Sequence, residues 1–330
     1  MQADPGFRLA IIAAPKAFRG HAGLIQRNAI ASWRSLAPEI EILLGGDEEG
    51  LDAVAAEYGA TRLGPLDPGV DGPPRVDCLF ARARERSPAD LFAYVNADII
   101  LLPDWLWAVR RAAGLLAGPF LAIGRRIDLD VETVIDFDDP AARRGLLDRA
   151  RSEGRLAARV CKDYFVFGRD DYQHLPGFTL GRAYWDNWMV HDAHRRGLPV
   201  VDLTRCGTAI HQNHDYAHLA GGRLSAYLTS PGARANRRLA GGSRMMSGAV
   251  ASCRLGQDGQ IGQLRMPATI AFAADLPRFL GLTAAVAASG AARWLGWSNA
   301  QTTRLTGSPP RPRADQLTGS RPKIPSRQAA

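Results

Sequence analysis

Short apolar runs separated by amphipathic stretches fill the first 125 residues, and this alternation constrains the fold more than any other feature of the chain. Residues 8–14 (RLAIIAA), 39–44 (EIEILL), 60–63, 91–95 (LFAYV) and 120–124 (FLAIG) have the length of strands rather than helices. Between them, residues 22–36, 51–58, 75–86 and 104–116 carry apolar side chains at helical spacing. In the first of these stretches the stripe is Leu24, Ile25, Ala29, Ile30 and Trp33. Repeated strand–helix–strand units predict an α/β fold with a mixed, mostly parallel sheet flanked by helices.

The second half is less regular. Residues 140–153 and 185–196 predict helices, and 163–167 (DYFVF) and 199–203 predict strands. The run His211-Gln212-Asn213-His214-Asp215-Tyr216 is too polar for a core segment. Beyond Gly221 the pattern weakens, with a further helix expected within 276–297. Ser, Thr, Pro, Gly and Arg dominate from Ser298 onward, which predicts a disordered tail.

Charge enters the argument through its location. The net charge is +8, but residues 298–330 hold six basic side chains against the single Asp315. The excess belongs mostly to the tail, which argues against a nucleic-acid-binding body and predicts no nucleic-acid partner. The tail itself leaves two readings open, a solvated linker or a peripheral contact with anionic lipid. Cys78, Cys161, Cys206 and Cys253 form no C-x-x-C pair and predict free thiols in a reducing compartment. The first residues lack the pattern of a signal peptide, and no run reaches the ~18–20 apolar residues that span a bilayer. The expected location is therefore cytoplasmic, with the inner face of a membrane as the one alternative.

Four groups of residues could carry chemistry. The 91–95 run ends on Asn96-Ala97-Asp98, and a strand of an open α/β sheet delivers its carboxyl end to the ligand crevice. A carboxylate there suits a hard divalent cation that bridges protein to diphosphate; the plain alternative is a cap for the helix near Asp104. Gly45-Gly46-Asp47-Glu48-Glu49-Gly50 follows the second strand. Its glycines admit a ligand close to the backbone, and its carboxylates can accept hydrogen bonds from a base or ribose, or simply favour the next helix's dipole. His211 and His214 can offer imidazoles to a metal, or hydrogen-bond within a loop; without the Glu of H-E-x-x-H they do not form a zinc-protease site. Trp185-Asp186-Asn187-Trp188 opens a helix, where Asp186 is either the cap or a base for an acceptor hydroxyl, and the tryptophans either stack on carbohydrate or fill the core.

Taken in this order, over roughly residues 7–215, the groups resemble a GT-A-fold glycosyltransferase of the family 2-like kind. Gln26-Arg27-Asn28-Ala29-Ile30 and Tyr94-Val95 add to the match. The resemblance implies a Rossmann-like nucleotide-sugar fold, a nucleotide-diphospho-sugar donor, Mn2+ or Mg2+ as cofactor, and a carbohydrate or other hydroxyl acceptor. It implies Asp98 as metal ligand, with His214 or His211 completing the shell. Asn96 stands where the family has its first Asp, so one carboxylate of D-x-D is missing. Asp47, with Glu48 beside it, falls where the nucleoside is contacted, and Asp186 where inverting members have their base. Arg125 and Arg126, after the FLAIG run, could face phosphate or form a solvated loop pair; Arg182 is a weaker candidate of the same kind. On this reading residues 1–220 form the catalytic domain, with 1–125 as the nucleotide-sugar half and 126–220 as the acceptor and metal-completing half. Residues 221–297 are a partly helical extension, and 298–330 the disordered basic tail.

Three other readings compete. A nucleotidyltransferase shares the sheet and the metal chemistry but has a Gly-rich loop after the first strand, where this chain reads Ala14-Pro15-Lys16-Ala17-Phe18-Arg19-Gly20. A metal hydrolase built on His211, His214 and Asp215 leaves Asn96-Ala97-Asp98 unexplained. A degenerate domain that binds a sugar nucleotide without turning it over would account for the missing carboxylate.

Overall fold

The computed structural model describes residues 6–159, 161–214, 227–242 and 250–264. The helix expected within 276–297, the tail from Ser298, and Asp215 and Tyr216 lie outside the described residues.

Among the described residues, nine strands form one mixed, mostly parallel sheet. In chain order they are β1 (Leu9–Ala13), β2 (Glu41–Gly45), β3 (Thr61–Gly64), β4 (Leu91–Val95), β6 (Leu121–Ile123), β9 (Tyr164–Gly168), β10 (Val200–Asp202), β12 (Cys253–Leu255) and β13 (Ile261–Gln263). Their spatial order is β13-β12-β10-β6-β9-β4-β1-β2-β3. The β1, β2, β3 and β4 neighbours pair in parallel, as do β6, β10 and β12, while β9 runs antiparallel between β4 and β6. The carboxyl ends of the parallel strands and the start of β9 therefore share one edge. This is the α/β architecture with a mostly parallel sheet that the alternation of apolar runs predicts, and it is Rossmann-like as the resemblance implies.

Helices α1 (Gly20–Arg34), α2 (Leu51–Glu57) and α4 (Pro103–Leu116) bury side chains in the core on one face, and α3 (Val76–Arg86) and α6 (Trp185–Arg195) in the core on the other; α5 (Pro140–Ser152) packs in a separate core with Ile100, Leu129 and Ile210, and α7 (Pro231–Leu239) follows. Alternation along the strands divides the core. Leu9, Ile11 and Ala13 of β1 join Leu91, Ala93 and Val95 of β4 in one layer with Trp33 and Trp105. Ala10, Ile12, Phe92 and Tyr94 face the other layer, with Phe80, Phe165 and Trp185. The described residues beyond 220 are tied to this body, because β12 and β13 extend the same sheet rather than building another.

A second sheet of four short strands was not visible in the sequence. It contains β5 (Ile99–Leu101), β7 (Ile127–Leu129), β8 (Arg155–Leu156) and β11 (Ala209–Gln212), in the order β5-β11-β7-β8. It corrects the reading of the polar run at 211: His211 and Gln212 are strand residues, 3% and 0% exposed. Polar side chains survive there because each finds partners. Gln212 Nε2 donates to the Ile25 and Asp98 carbonyls at 2.7 and 3.2 Å, and its Oε1 accepts from Asn28 Nδ2 at 3.1 Å. Helix α1 fixes the sheet's edge, where Trp33 Nε1 donates to the Ile99 carbonyl at 2.9 Å and Ser32 Oγ accepts from the Leu101 N–H at 3.1 Å.

Candidate active site at the carboxyl edge of the sheet

The small sheet assembles the site. Antiparallel pairing sets His211 opposite Ile99, the residue after Asp98, and parallel pairing sets His211 beside Asp128. Residues 83 and 113 positions apart in the chain thus meet through register alone. His211 Nε2 lies 3.5 Å and His214 Nε2 3.2 Å from Asp98 Oδ2, while His211 Nδ1 lies 3.2 Å from Asp128 Oδ1. The ligand-capable atoms of Asp98, His211 and His214 all fall within 4.8 Å of one another. Asp98 is not a helix cap; helix α4 starts on Pro103, and Asp104 is held by the Thr208 N–H and hydroxyl.

Charge explains the protonation pattern. Burial would raise the Asp98 carboxyl, but His211 and His214 hold it well below the usual carboxylate range. Burial would lower His211, and Asp98 and Asp128 overcome it and push the imidazole up to about 9. Without a cation, His211 therefore carries the positive charge that this acidic pocket demands. Asp98 Oδ1 is buried and has no hydrogen-bond partner among the described residues. A carboxylate oxygen left bare beside two imidazoles fits the donor set of a divalent cation.

Behind this cluster runs a buried ionic bridge. Arg126 Nε donates to Asp128 Oδ1 at 2.8 Å, and its Nη1 reaches both oxygens of Asp163 at 2.6 Å. Arg126 is 6% exposed. Both expectations for Arg126 are corrected: it is neither a phosphate-facing arginine nor half of a solvated pair, because two buried carboxylates occupy it. Asp163 Oδ1 also accepts from Asn96 Nδ2 at 2.8 Å, and Asn96 Oδ1 accepts from the Tyr94 hydroxyl at 2.6 Å. The amide of Asn96 is thus spent on the protein itself. Asp128 and Asp163 escaped sequence reasoning. The one available signal was Lys162-Asp163 directly before an apolar strand, which on an antiparallel neighbour of β4 must sit at the same edge.

Asp186 occupies the first turn of α6 and is 5% exposed. Its Oδ1 accepts from the Asn187 N–H at 2.8 Å and its Oδ2 from the Tyr227 hydroxyl at 3.1 Å. Burial raises its pKa against the pull of Lys162 and these donors. Tyr184, just before the helix, has φ +86°, a conformation a bulky L residue adopts only under constraint from its surroundings. Trp185 is core, packed on Tyr94 and Phe165 with ring centroids 5.0 and 5.4 Å apart, and Trp188 packs on Phe178. Arg182 is paired with Asp71 at 2.8 Å. Arg125 donates from Nε to the Ala157 carbonyl at 2.6 Å and lines a cleft at the same edge.

Asp47 and Glu48 lie after β2, at the edge that also bears Asp98. Both are exposed. Gly46 and Gly50 adopt φ of +116° and +81°, which a side chain would oppose, so the turn's shape depends on those glycines.

No protein-family model matches the chain, and no curated protein matches it. Among solved structures, the chain is similar to glucosyl-3-phosphoglycerate synthase from Mycobacterium tuberculosis in complex with Mg2+ and uridine diphosphate. The identity is 14%, the TM-score 0.43, and the match covers 72% of this chain and 81% of that one. A second structure of that synthase, in complex with Mn2+, UDP-glucose and phosphoglyceric acid, matches at 14% identity and TM-score 0.41 over 72% and 81% of the two chains. A mycobacterial protein matches at 15% identity and TM-score 0.40 over 79% and 84%. Likeness at this level assigns no residue and no ligand to this chain.

Proposed function

We propose that this chain is a glycosyltransferase that moves a sugar from a nucleotide-diphospho-sugar to an acceptor hydroxyl with the help of a divalent cation. One observation carries the reading. Asp98, His211 and His214 converge at the carboxyl edge of a parallel strand, and Asp98 Oδ1 is left buried without a hydrogen-bond partner among the described residues. Ligand crevices of open α/β sheets lie at that edge.

Asp98, His211 and His214 would hold Mn2+ or Mg2+, which would offset the charge that builds on a departing diphosphate. Asn96 would not be a ligand, because its amide is already bonded to Tyr94 and Asp163. Asp128 Oδ1, 3.2 Å from His211 Nδ1 though outside hydrogen-bond geometry, would orient the ring and leave Nε2 facing Asp98. Asp47 and Glu48 would receive the nucleoside in an exposed, adaptable turn. Asp186 would take the acceptor's proton; its raised pKa makes it a stronger base than an ordinary carboxylate, and the reaction would invert the anomeric centre. Residues 1–220 would supply all these groups. No helix among the described residues is long and apolar enough to cross a membrane; we assign the enzyme to the cytoplasm, with contact to anionic lipid left to the basic tail.

A catalytically silent domain that binds sugar nucleotides is the second reading, and the internal engagement of Asn96 favours it. Purified protein should be screened against nucleotide sugars with Mn2+ or Mg2+, following thermal shift and release of nucleoside diphosphate. Stabilisation with release supports the transferase, stabilisation without release the silent domain, and no response to any nucleoside diphosphate would eliminate both.

A further inference from the structure

Asn96 opens the turn that presents Asp98. Its carbonyl accepts the Ile99 N–H at 3.0 Å, which closes a four-residue turn with Asp98 as its third member. Gln212 fixes the far side of that turn, since its backbone N–H and its Nε2 both reach the Asp98 carbonyl at 3.2 Å. Asn96 fixes the near side. Its N–H donates to the Asp163 carbonyl at 2.9 Å, its Nδ2 donates to Asp163 Oδ1 at 2.8 Å, and its Oδ1 accepts from the Tyr94 hydroxyl at 2.6 Å.

Chemistry decides which way this amide points. An ionised carboxylate only accepts, so the group that faces Asp163 Oδ1 is the N–H, and the oxygen is left for the Tyr94 proton. Both partners are held in place. Tyr94 is 2% exposed and stands edge-on to Trp185 with ring centroids 5.0 Å apart, and Asp163 is 6% exposed with Arg126 Nη1 on both of its oxygens at 2.6 Å. Asparagine meets two opposite demands in one planar group, a donor toward a buried carboxylate and an acceptor toward a buried hydroxyl. Aspartate meets only the second. One of its oxygens would replace Nδ2, 2.8 Å from an oxygen of the same charge, where burial leaves little water to screen the repulsion.

We propose that Asn96 is a positioning residue for Asp98 and that Asp163 requires its amide, so that a carboxylate at position 96 weakens metal binding instead of restoring a lost ligand. The proposal rests on the metal reading of Asp98, His211 and His214. It reverses the sign expected of a decayed D-x-D, in which an aspartate at 96 would add an oxygen ligand and tighten the ion.

Mn2+ binding to the full chain by electron paramagnetic resonance, with urea unfolding in chelator alongside, tests it. The chains to compare are the parent, Asn96→Asp, and an exchange variant that combines Asn96→Asp with Asp163→Asn. Asn96→Asp should lose at least about tenfold in Mn2+ affinity, the loss expected when a group that orients a ligand is removed. The exchange variant sets an amide donor opposite the carboxylate again and keeps the number of charges. It should recover to within about threefold of the parent, because residues in contact are coupled. Equal or tighter Mn2+ binding by Asn96→Asp overturns the proposal, and so does a loss that the exchange does not recover. Unfolding in chelator separates positioning from a purely structural role. If the variants lose stability while their folded chains bind Mn2+ like the parent, Asn96 serves the fold and not Asp98, and the proposal fails. Should Asn96→Asp not fold, the exchange variant carries the test alone: affinity like the parent's supports the proposal, and affinity well above or below it overturns it. A parent chain that binds no Mn2+ overturns the proposal together with the metal reading, whereas the other adverse outcomes leave that reading standing.

Discussion

Two turns leave the same edge of the sheet after buried parallel strands, and they are built in opposite ways. The turn after β4 carries Asn96 and Asp98 into a lattice of side chains contributed by three distant segments: Asp128, Asp163, and His211 with His214. The turn after β2 carries Asp47 and Glu48 into solvent, shaped by two glycines and by Arg62 Nη2 on the Gly46 carbonyl at 2.6 Å. Chemistry at a fixed point needs groups that do not move, whereas recognition of a nucleoside tolerates a turn that adjusts. If that division is real, substitutions in the first turn's surroundings should damage fold and metal binding together. Substitutions in the second should touch only ligand affinity.

The largest effect is expected from Arg126→Leu. It removes the guanidinium that faces Asp163 and leaves Asp128 to His211 and the more distant Arg155, and losing one partner of a buried pair costs about 3–5 kcal/mol. Urea unfolding should register the loss directly. A change below about 1 kcal/mol would mean that water reaches the bridge and that the lattice is looser than its geometry suggests. Next comes Asp98→Ala, for which Mn2+ affinity, read by electron paramagnetic resonance, should fall at least about a hundredfold, more than second-contact losses do. Unchanged Mn2+ binding in that variant would remove Asp98 from the ligand set. Asp128→Asn should cost about 10–100-fold in Mn2+ affinity by releasing the ring of His211.

Proton linkage gives an effect of intermediate size. The folded chain raises His211 from its ordinary 6.5 to about 9. A raised folded value means that the protonated imidazole stabilises the fold. In metal-free protein this contribution is complete below pH 6.5 and is lost as the pH rises through about 9. A cation must displace that proton from Nε2. Its affinity should therefore climb about tenfold per pH unit between those values, each unit being worth 1.36 kcal/mol. Titrations of Mn2+ at several pH values would show the slope, and a flat profile would separate His211 from the metal.

The sequence made one of the two turns legible and hid the construction of the other. Strands buried on both faces wrote β1, β2 and β4 as apolar runs, so the sheet and the places of Asp47 and Asp98 followed from pattern. The second sheet left no such trace. Its strands are two to four residues long, and in β11 buried polar residues stand where the pattern calls for apolar ones. His211 and Gln212 looked like a loop because their partners, Asp98, Asp128 and Asn28, become neighbours only through the pairing of β5, β7 and β11. Arg126 misled for the same reason, since a doublet after a strand does not reveal that Asp163 will arrive beside it on an antiparallel neighbour. Asp186 was readable as a carboxylate at a helix start, but its burial and its bond from Tyr227 were not.

The smallest effect belongs to the exposed turn and is the most informative about the division of labour. Asp47→Asn and Glu48→Gln alter carboxylates that are exposed and make no hydrogen bond or ion pair among the described residues. Stability should shift by no more than about 0.5 kcal/mol, as for surface positions away from special features. Mn2+ affinity in the absence of nucleotide should also stay put, because neither residue belongs to the convergent cluster. Binding of a nucleoside diphosphate should weaken several-fold in Asp47→Asn and less in Glu48→Gln, since a charge-assisted bond to ribose or base contributes about 1.5–3 kcal/mol at most and an exposed one less. If both variants bind the nucleoside diphosphate like the parent chain, the turn after β2 has no part in recognition, and the shared edge supports one site residue set rather than two. If instead they lose Mn2+ or stability, the turn is coupled to the Asp98 lattice, and the contrast between an adjustable and a fixed turn fails.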